Sequence, residues 1–155
     1  MKSNINIGKS AASIWRGLQM GEDIKHLNIE FEKHKELFSF FQVGDYYYFI
    51  VNLLEHKFEY VSDGFHKLLG YDQNPHTISS FLEKIHPDDQ PWFLNIESKV
   101  IDFFAQLNPA QIPNYKVRYD YRVRHKDGHY VRILQQVITL AFSDEGGLFR
   151  TLALH

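Results

Sequence analysis

Between Tyr115 and Ala141 the chain reads YKVRYDYRVRHKDGHYVRILQQVITLA, two β-rich runs joined at Lys126-Asp127-Gly128-His129. Asp-Gly can supply the two positive-φ positions of a type I′ turn, so a tight hairpin is expected, and such a turn sets the register of both strands. In the first run Tyr115, Val117, Tyr119, Tyr121, Val123 and His125 share one face and Lys116, Arg118, Asp120, Arg122 and Arg124 the other. That period of two predicts one dry face and one wet face. In the second run Val131, Ile133, Gln135, Val137 and Thr139 alternate with Tyr130, Arg132, Leu134, Gln136, Ile138 and Leu140, and both sets are largely apolar in its second half. Such a strand must be covered on both sides. The rest of the chain can be read as the two covers.

The 155 residues suffice for one domain with a substantial core, and 15% of them are aromatic. No cysteine is present, which excludes disulfides, thiolate metal sites and cysteine nucleophiles. No apolar run approaches the ~18–20 residues that cross a bilayer, and MKSNINIGKSAAS has no signal-peptide core, so a cytoplasmic protein without membrane contact is expected. A net charge of −2 argues against direct nucleic-acid binding, because phosphate affinity rests on accumulated Lys and Arg. The basic cluster from Lys116 to Lys126 interleaves aromatics as a single-strand binder would. Its Tyr and Arg fall on opposite strand faces, however, and read better as a solvated face over a buried one.

Residues 1–22 form an N-terminal extension in which Ile14, Trp15 and Leu18 are the concentrated apolar group. Over residues 23–42, Ile24, Leu27, Phe31, Phe38 and Phe41 recur at helical spacing, with His34 at the missing position, and predict an amphipathic helix. Residues 43–155 form the domain proper. Tyr46–Leu53 is apolar on both faces and reads as a central strand. Lys57–Val61 reads as an edge strand with Phe58 and Tyr60 inward. Ser62 is expected to cap a short helix carrying Phe65, Leu68 and Leu69 and stopped at Gly70, and Thr77 to cap another carrying Ile78, Phe81, Leu82 and Ile85. After His86-Pro87-Asp88-Asp89, a stripe of Phe93, Ile96, Val100, Phe103, Phe104 and Leu107 predicts a long helix ended by Asn108-Pro109. Strand Leu148–Leu154 closes the chain with no turn or charged tail after it, which suggests one part of a longer polypeptide.

Three stretches in this order, FEYVSDGFHKLLGY from Phe58, IHPDDQPWF from Ile85 and YRVRHKDGHYVRI from Tyr121, resemble the PAS family, in the subgroup with a long helix before the third strand. FFQVGDYYYFIVN, HPDDQPWFLN and YKVRYDYRVRHKDG further resemble the N-terminal sensory region of bacterial regulators with a LuxR-type helix-turn-helix. The resemblance implies an α+β fold: a five-stranded antiparallel sheet with helices on one face. The amphipathic helix would cover the other face. It also implies a sensory, non-catalytic module, covalently linked to an output domain, probing a small molecule or mediating dimerisation. The cofactors of some relatives are not expected. No cysteine is available for a flavin adduct, and Gln90–Asn108 holds no histidine for haem.

Ligand-pocket candidates are Phe49, Phe58, Tyr60, Phe65, Leu69, Phe81, Ile85, Phe93, Ile96, Val100, Tyr121, Val123, Ile133 and Gln135. Of these, Gln135 and the tyrosine hydroxyls are the most informative, because buried polar groups require partners. Leu27, Phe31, Phe38, Phe41, Leu134, Ile138 and Leu140 are candidates for packing between the amphipathic helix and the outer sheet face, within one chain or across a homodimer. A rival reading is a small enzyme using His86, Asp88 and Asp89. The same residues read more simply as a helix start, with aspartates satisfying free N–H groups. His125 and His129 flank the hairpin turn, but no carboxylate or third histidine is visibly placed to make them a metal site, so none is expected.

Overall fold

The expected hairpin supplies two of the five strands of an antiparallel sheet. The computed structural model describes residues 6–15, 44–142 and 148–155. The amphipathic helix expected over Asp23–Phe41, with Leu27, Phe31, Phe38 and Phe41, lies outside the described residues. Strands β1 (Tyr48–Asn52), β2 (Lys57–Val61), β3 (Lys116–Arg124), β4 (Tyr130–Phe142) and β5 (Leu148–Leu154) form one sheet in the order β2-β1-β5-β4-β3. The strand latest in sequence is therefore the central one, hydrogen-bonded to β1 on one side and β4 on the other. Helices α1 (Ile7–Trp15), α2 (Gly64–Leu69), α3 (Ile78–Leu82) and α4 (Gln90–Phe104) accompany the sheet, with a 3₁₀ turn at Pro109–Asn114. The main core brings residues of all four helices against inward residues of β1, β3, β4 and β2.

Local chemistry explains the helix boundaries, with corrections. Gly70 ends α2 at φ 72°, the left-handed stop that glycine adopts without strain. Thr77 caps α3 in a reciprocal arrangement with Ser80. Ser62, expected to cap α2, does not: Asp63 holds that position, and the Ser62 hydroxyl instead accepts the Tyr48 N–H at 2.8 Å. That bond ties the end of β2 to β1. Asn108 ends the helical region as expected, but by capping the 3₁₀ turn through Ala110 N–H at 3.0 Å.

The hairpin is also not the type I′ turn expected. Gly128 has φ 103°, while Asp127 is not among the positive-φ residues. Gly128 N–H donates to the His125 carbonyl at 3.0 Å and His125 N–H to the His129 carbonyl at 2.8 Å. This is a three-residue loop, a turn followed by a left-handed glycine. The face assignment survives, with Tyr119, Tyr121 and Val123 buried and Lys116, Arg118 and Arg124 exposed. The free edge of β3 is covered by the segment between α3 and α4: Arg124 N–H donates to the Lys84 carbonyl and His86 N–H to the Arg122 carbonyl, each at 2.8 Å.

In β2 the register slips. Ile50 pairs with Tyr60 but Val51 pairs with Phe58, so Glu59 is bulged. Its carboxylate accepts from Asn52 Nδ2 at 3.0 Å and Arg150 Nη2 at 2.9 Å. One extra residue changes the face of everything beyond it. Phe58 points to the core as expected, whereas Tyr60 is on the outer face, stacked on Tyr48 with centroids 5.5 Å apart beside Leu152 and Leu154. That removes Tyr60 from the pocket candidates.

Candidate functional site

A cavity of about 100 Å³ lies between the inner sheet face and the helices. A single water needs only about 10–15 Å³, so this space can hold a small organic molecule. Phe49, Val51 and Leu53 line it from β1 and the turn after it, Phe58 from β2, and Val117 and Tyr121 from β3. Gln135, Val137 and Thr139 come from β4, Thr151 and Ala153 from β5, Ile78, Phe81 and Leu82 from α3, and Phe93, Glu97, Val100, Ile101 and Phe104 from α4; Trp15 closes one side. The alternation of the strands accounts for the selection. Residues 49, 51 and 53, or 135, 137 and 139, share one face and enter together.

Of the pocket candidates, Phe49, Phe58, Phe81, Phe93, Val100, Tyr121 and Gln135 line this cavity. Phe65, Leu69, Ile85, Val123 and Ile133 are buried but belong to the packed core around it. Ile85 is held away by its bridge to Val123 at the β3 edge. Ile96 faces a separate groove formed with Phe103, Tyr115 and Lys116.

Polar groups are concentrated in one buried chain. Glu97 accepts from Trp15 Nε1 at 2.8 Å and from the Tyr119 hydroxyl. The Tyr119 oxygen accepts from Gln135 Nε2 at 2.7 Å, and Gln135 Oε1 accepts from the Tyr121 hydroxyl at 2.6 Å. His155 Nε2 lies 2.8 Å from Gln135 Oε1 and 3.2 Å from the Tyr121 hydroxyl. The chain thus runs from the N-terminal helix, through α4, β3 and β4, to the residue after β5. Burial raises the pKa of Glu97 despite its two donors, raises Tyr119 and Tyr121 well above the phenol range, and lowers His155 to about 3. All four are held toward their neutral forms. Tyr47 Oη and His155 Nδ1 are buried without a hydrogen-bond partner.

Glu97, Trp15, Tyr119 and His155 were not among the sequence candidates. A signal for Glu97 existed: it stands four residues after Phe93 and four before Ile101, inside the apolar stripe of α4, where a carboxylate needs donors. Trp15, read only as part of the apolar group of the N-terminal extension, is buried with Ile7 and Ala11 in this core. His155 carried no such signal, because only the central position of β5 brings it to the sheet's inner face.

His86, Asp88 and Asp89 do not line the cavity. Asp88 is exposed, and its N–H donates to His86 Nδ1 at 3.2 Å. Asp89 occupies the N-cap of α4 but makes no side-chain cap bond, contrary to the expected helix-start role. Its carboxylate accepts from Arg122 Nε at 2.9 Å, Nη2 at 2.5 Å and the Arg122 backbone N–H at 2.9 Å. Those bonds pull its pKa down to about 2 and fasten the start of α4 to β3.

A family model described as PAS fold matches residues 58–155. The chain belongs to the PAS fold family. Among solved structures, the N-terminal domain of a diguanylate cyclase with PAS/PAC sensor from Marinobacter aquaeolei is 26% identical with a TM-score of 0.55, over 70% of this chain and 91% of that one. A sensory box histidine kinase/response regulator from Burkholderia thailandensis shares the fold at 21% identity and a TM-score of 0.54, over 80% of each chain. No curated protein matches the chain in sequence. Among the described residues, no helix of this PAS domain is long and apolar enough to cross a membrane.

Proposed function

We propose that this PAS domain is a non-catalytic sensory module that takes a small, uncharged, mainly apolar organic molecule into the cavity and passes the change to a covalently linked output domain. The observation that carries the reading is the cavity itself, apolar on most sides with Glu97, Tyr121, Gln135, Thr139 and Thr151 as its polar points. An anionic ligand would meet no positive charge there, and Glu97 is already engaged by Trp15 and Tyr119. The resemblance to LuxR-type regulators favours a DNA-binding output, acting as a homodimer in a bacterial cytoplasm. The enzyme reading is disfavoured by Asp89, whose carboxylate is engaged by Arg122 outside the cavity.

Native mass spectrometry of the protein purified from its own host tests the proposal. One small molecule per chain is expected, lost in a Val100→Phe variant that fills the cavity. If no molecule co-purifies and no apolar compound from a library raises the melting temperature, the cavity is a packing void and signalling goes through protein contacts.

A further inference from the structure

The tip of the β3–β4 hairpin carries a second constellation, remote from the cavity. His125, Asp127 and His129 alternate through the turn, and the two imidazoles stack with ring centroids 4.5 Å apart and planes 20° from parallel. Both Nδ1 atoms address one carboxylate oxygen: Asp127 Oδ1 lies 2.9 Å from Nδ1 of His125 and 2.5 Å from Nδ1 of His129. One ligating atom from each of the three residues lies within 4.8 Å of the others. The carboxylate that the two histidines lacked in the sequence reading is thus supplied from inside the turn.

Short contacts already draw both imidazoles onto the Asp127 carboxylate. Asp127 N–H lies 3.3 Å from His125 Nδ1, and Asp127 Oδ1 also accepts the His129 N–H at 3.3 Å. A divalent cation can take the place of the imidazole protons there, each neutral ring then carrying its proton on Nε2. Two imidazole nitrogens and a carboxylate form a donor set suited to borderline-soft divalent ions. With metal–ligand bonds of about 2.0–2.1 Å the ligand atoms must stand ~3.3 Å apart, so the side chains open slightly. His129 and Asp127 can do so, being 58% and 61% exposed. His125 is the fixed member. Its ring lies over Gly70, where an added Cβ would come within 2.7 Å of Cε1 and Nε2, and Lys126 N–H anchors the turn to the Leu69 carbonyl at 2.9 Å.

We propose that His125, Asp127 and His129 bind one divalent transition-metal ion of the zinc class, clamping the hairpin tip and giving the domain an input separate from the cavity. The test is calorimetric titration of zinc chloride into the full chain, freed of affinity tag and stripped of metal. One zinc per chain is expected in the wild type and in H76A, which removes an exposed histidine outside the cluster. Affinity should fall roughly ten-fold or more in H129A and in D127N, at least as much as loss of an outer-shell partner costs. Both variants alter exposed side chains, so their metal-free urea midpoints should match the wild type. Absence of zinc binding in the wild type, or binding that H129A and D127N leave unchanged, overturns the proposal.

Discussion

Tyr47 and Tyr121 are both buried tyrosines of the main core, but their hydroxyls stand in opposite circumstances. Tyr121 donates to Gln135, whereas Tyr47 Oη has no partner. Replacing Tyr121 by Phe leaves Gln135 Oε1 short of a donor and should cost about 1–2 kcal/mol. Replacing Tyr47 by Phe removes a polar atom whose burial is uncompensated, and should leave stability unchanged or raise it by up to about 1 kcal/mol. Urea unfolding of the two variants measures the contrast; equal losses would show that Tyr47 is bonded. His155 supplies a pH dependence. Its ordinary pKa of 6.5 falls to about 3 on folding, so below 6.5 the unfolded chain takes up a proton that the folded chain refuses. The contribution is therefore full above 6.5 and is lost as pH falls toward about 3. Glu97 has the opposite sign: its raised pKa makes its contribution present below 4.5 and lost as pH rises above it. A His155→Gln variant isolates the first effect, and its stability difference from wild type should shrink as pH drops from 6.5. A difference constant across that range would show that His155 is not buried as a neutral ring.

At the scale of elements, the joint between α2 and the hairpin depends on one glycine. Gly70 has φ 72° and lies under the His125 ring, so Gly70→Ala combines a left-handed backbone with a collision. The backbone part alone costs about 1–2 kcal/mol, and the variant should lose about 1–3 kcal/mol in all. The loss should be accompanied by faster amide exchange at Lys126, whose N–H is bonded to the Leu69 carbonyl. Unchanged exchange there would mean that the ring moves aside without disturbing the turn. The loss of Tyr60 from the pocket belongs to this scale as well. Alternation in KFEYV is legible, but a bulge at Glu59 is decided by partners on two other strands, Asn52 and Arg150.

For the whole molecule, the outer sheet face presents an exposed apolar surface. Leu134 and Ile138 are four residues apart on one face of β4 and are 46% and 39% exposed, next to a second apolar cluster of Tyr48, Leu152 and Leu154 with Leu140 against it. The homodimer proposed above would use this face. The double substitution L134K/I138K should then halve the mass measured by light scattering while leaving the circular dichroism spectrum unchanged. A dimer of undiminished mass would place the interface elsewhere.

What the sequence determined by itself is the part written in local periods and caps. The buried and wet faces of β3, the central character of β1, the stop at Gly70, the cap at Thr77 and the stripe of α4 follow from near neighbours along the chain, and so does the family resemblance. Seven of the fourteen pocket candidates, Phe49, Phe58, Phe81, Phe93, Val100, Tyr121 and Gln135, line the cavity for the same reason. Tertiary structure alone decided the rest. Placing β5 between β1 and β4 put Thr151, Ala153 and His155 on the inner face, and docking α1 brought Trp15 onto Glu97. Arg122 drew Asp89 away from its cap, and the turn geometry gathered His125, Asp127 and His129. Each of these outcomes depends on groups that meet only when distant segments close on one another, and a period of two or 3.6 residues carries no record of which segments those are.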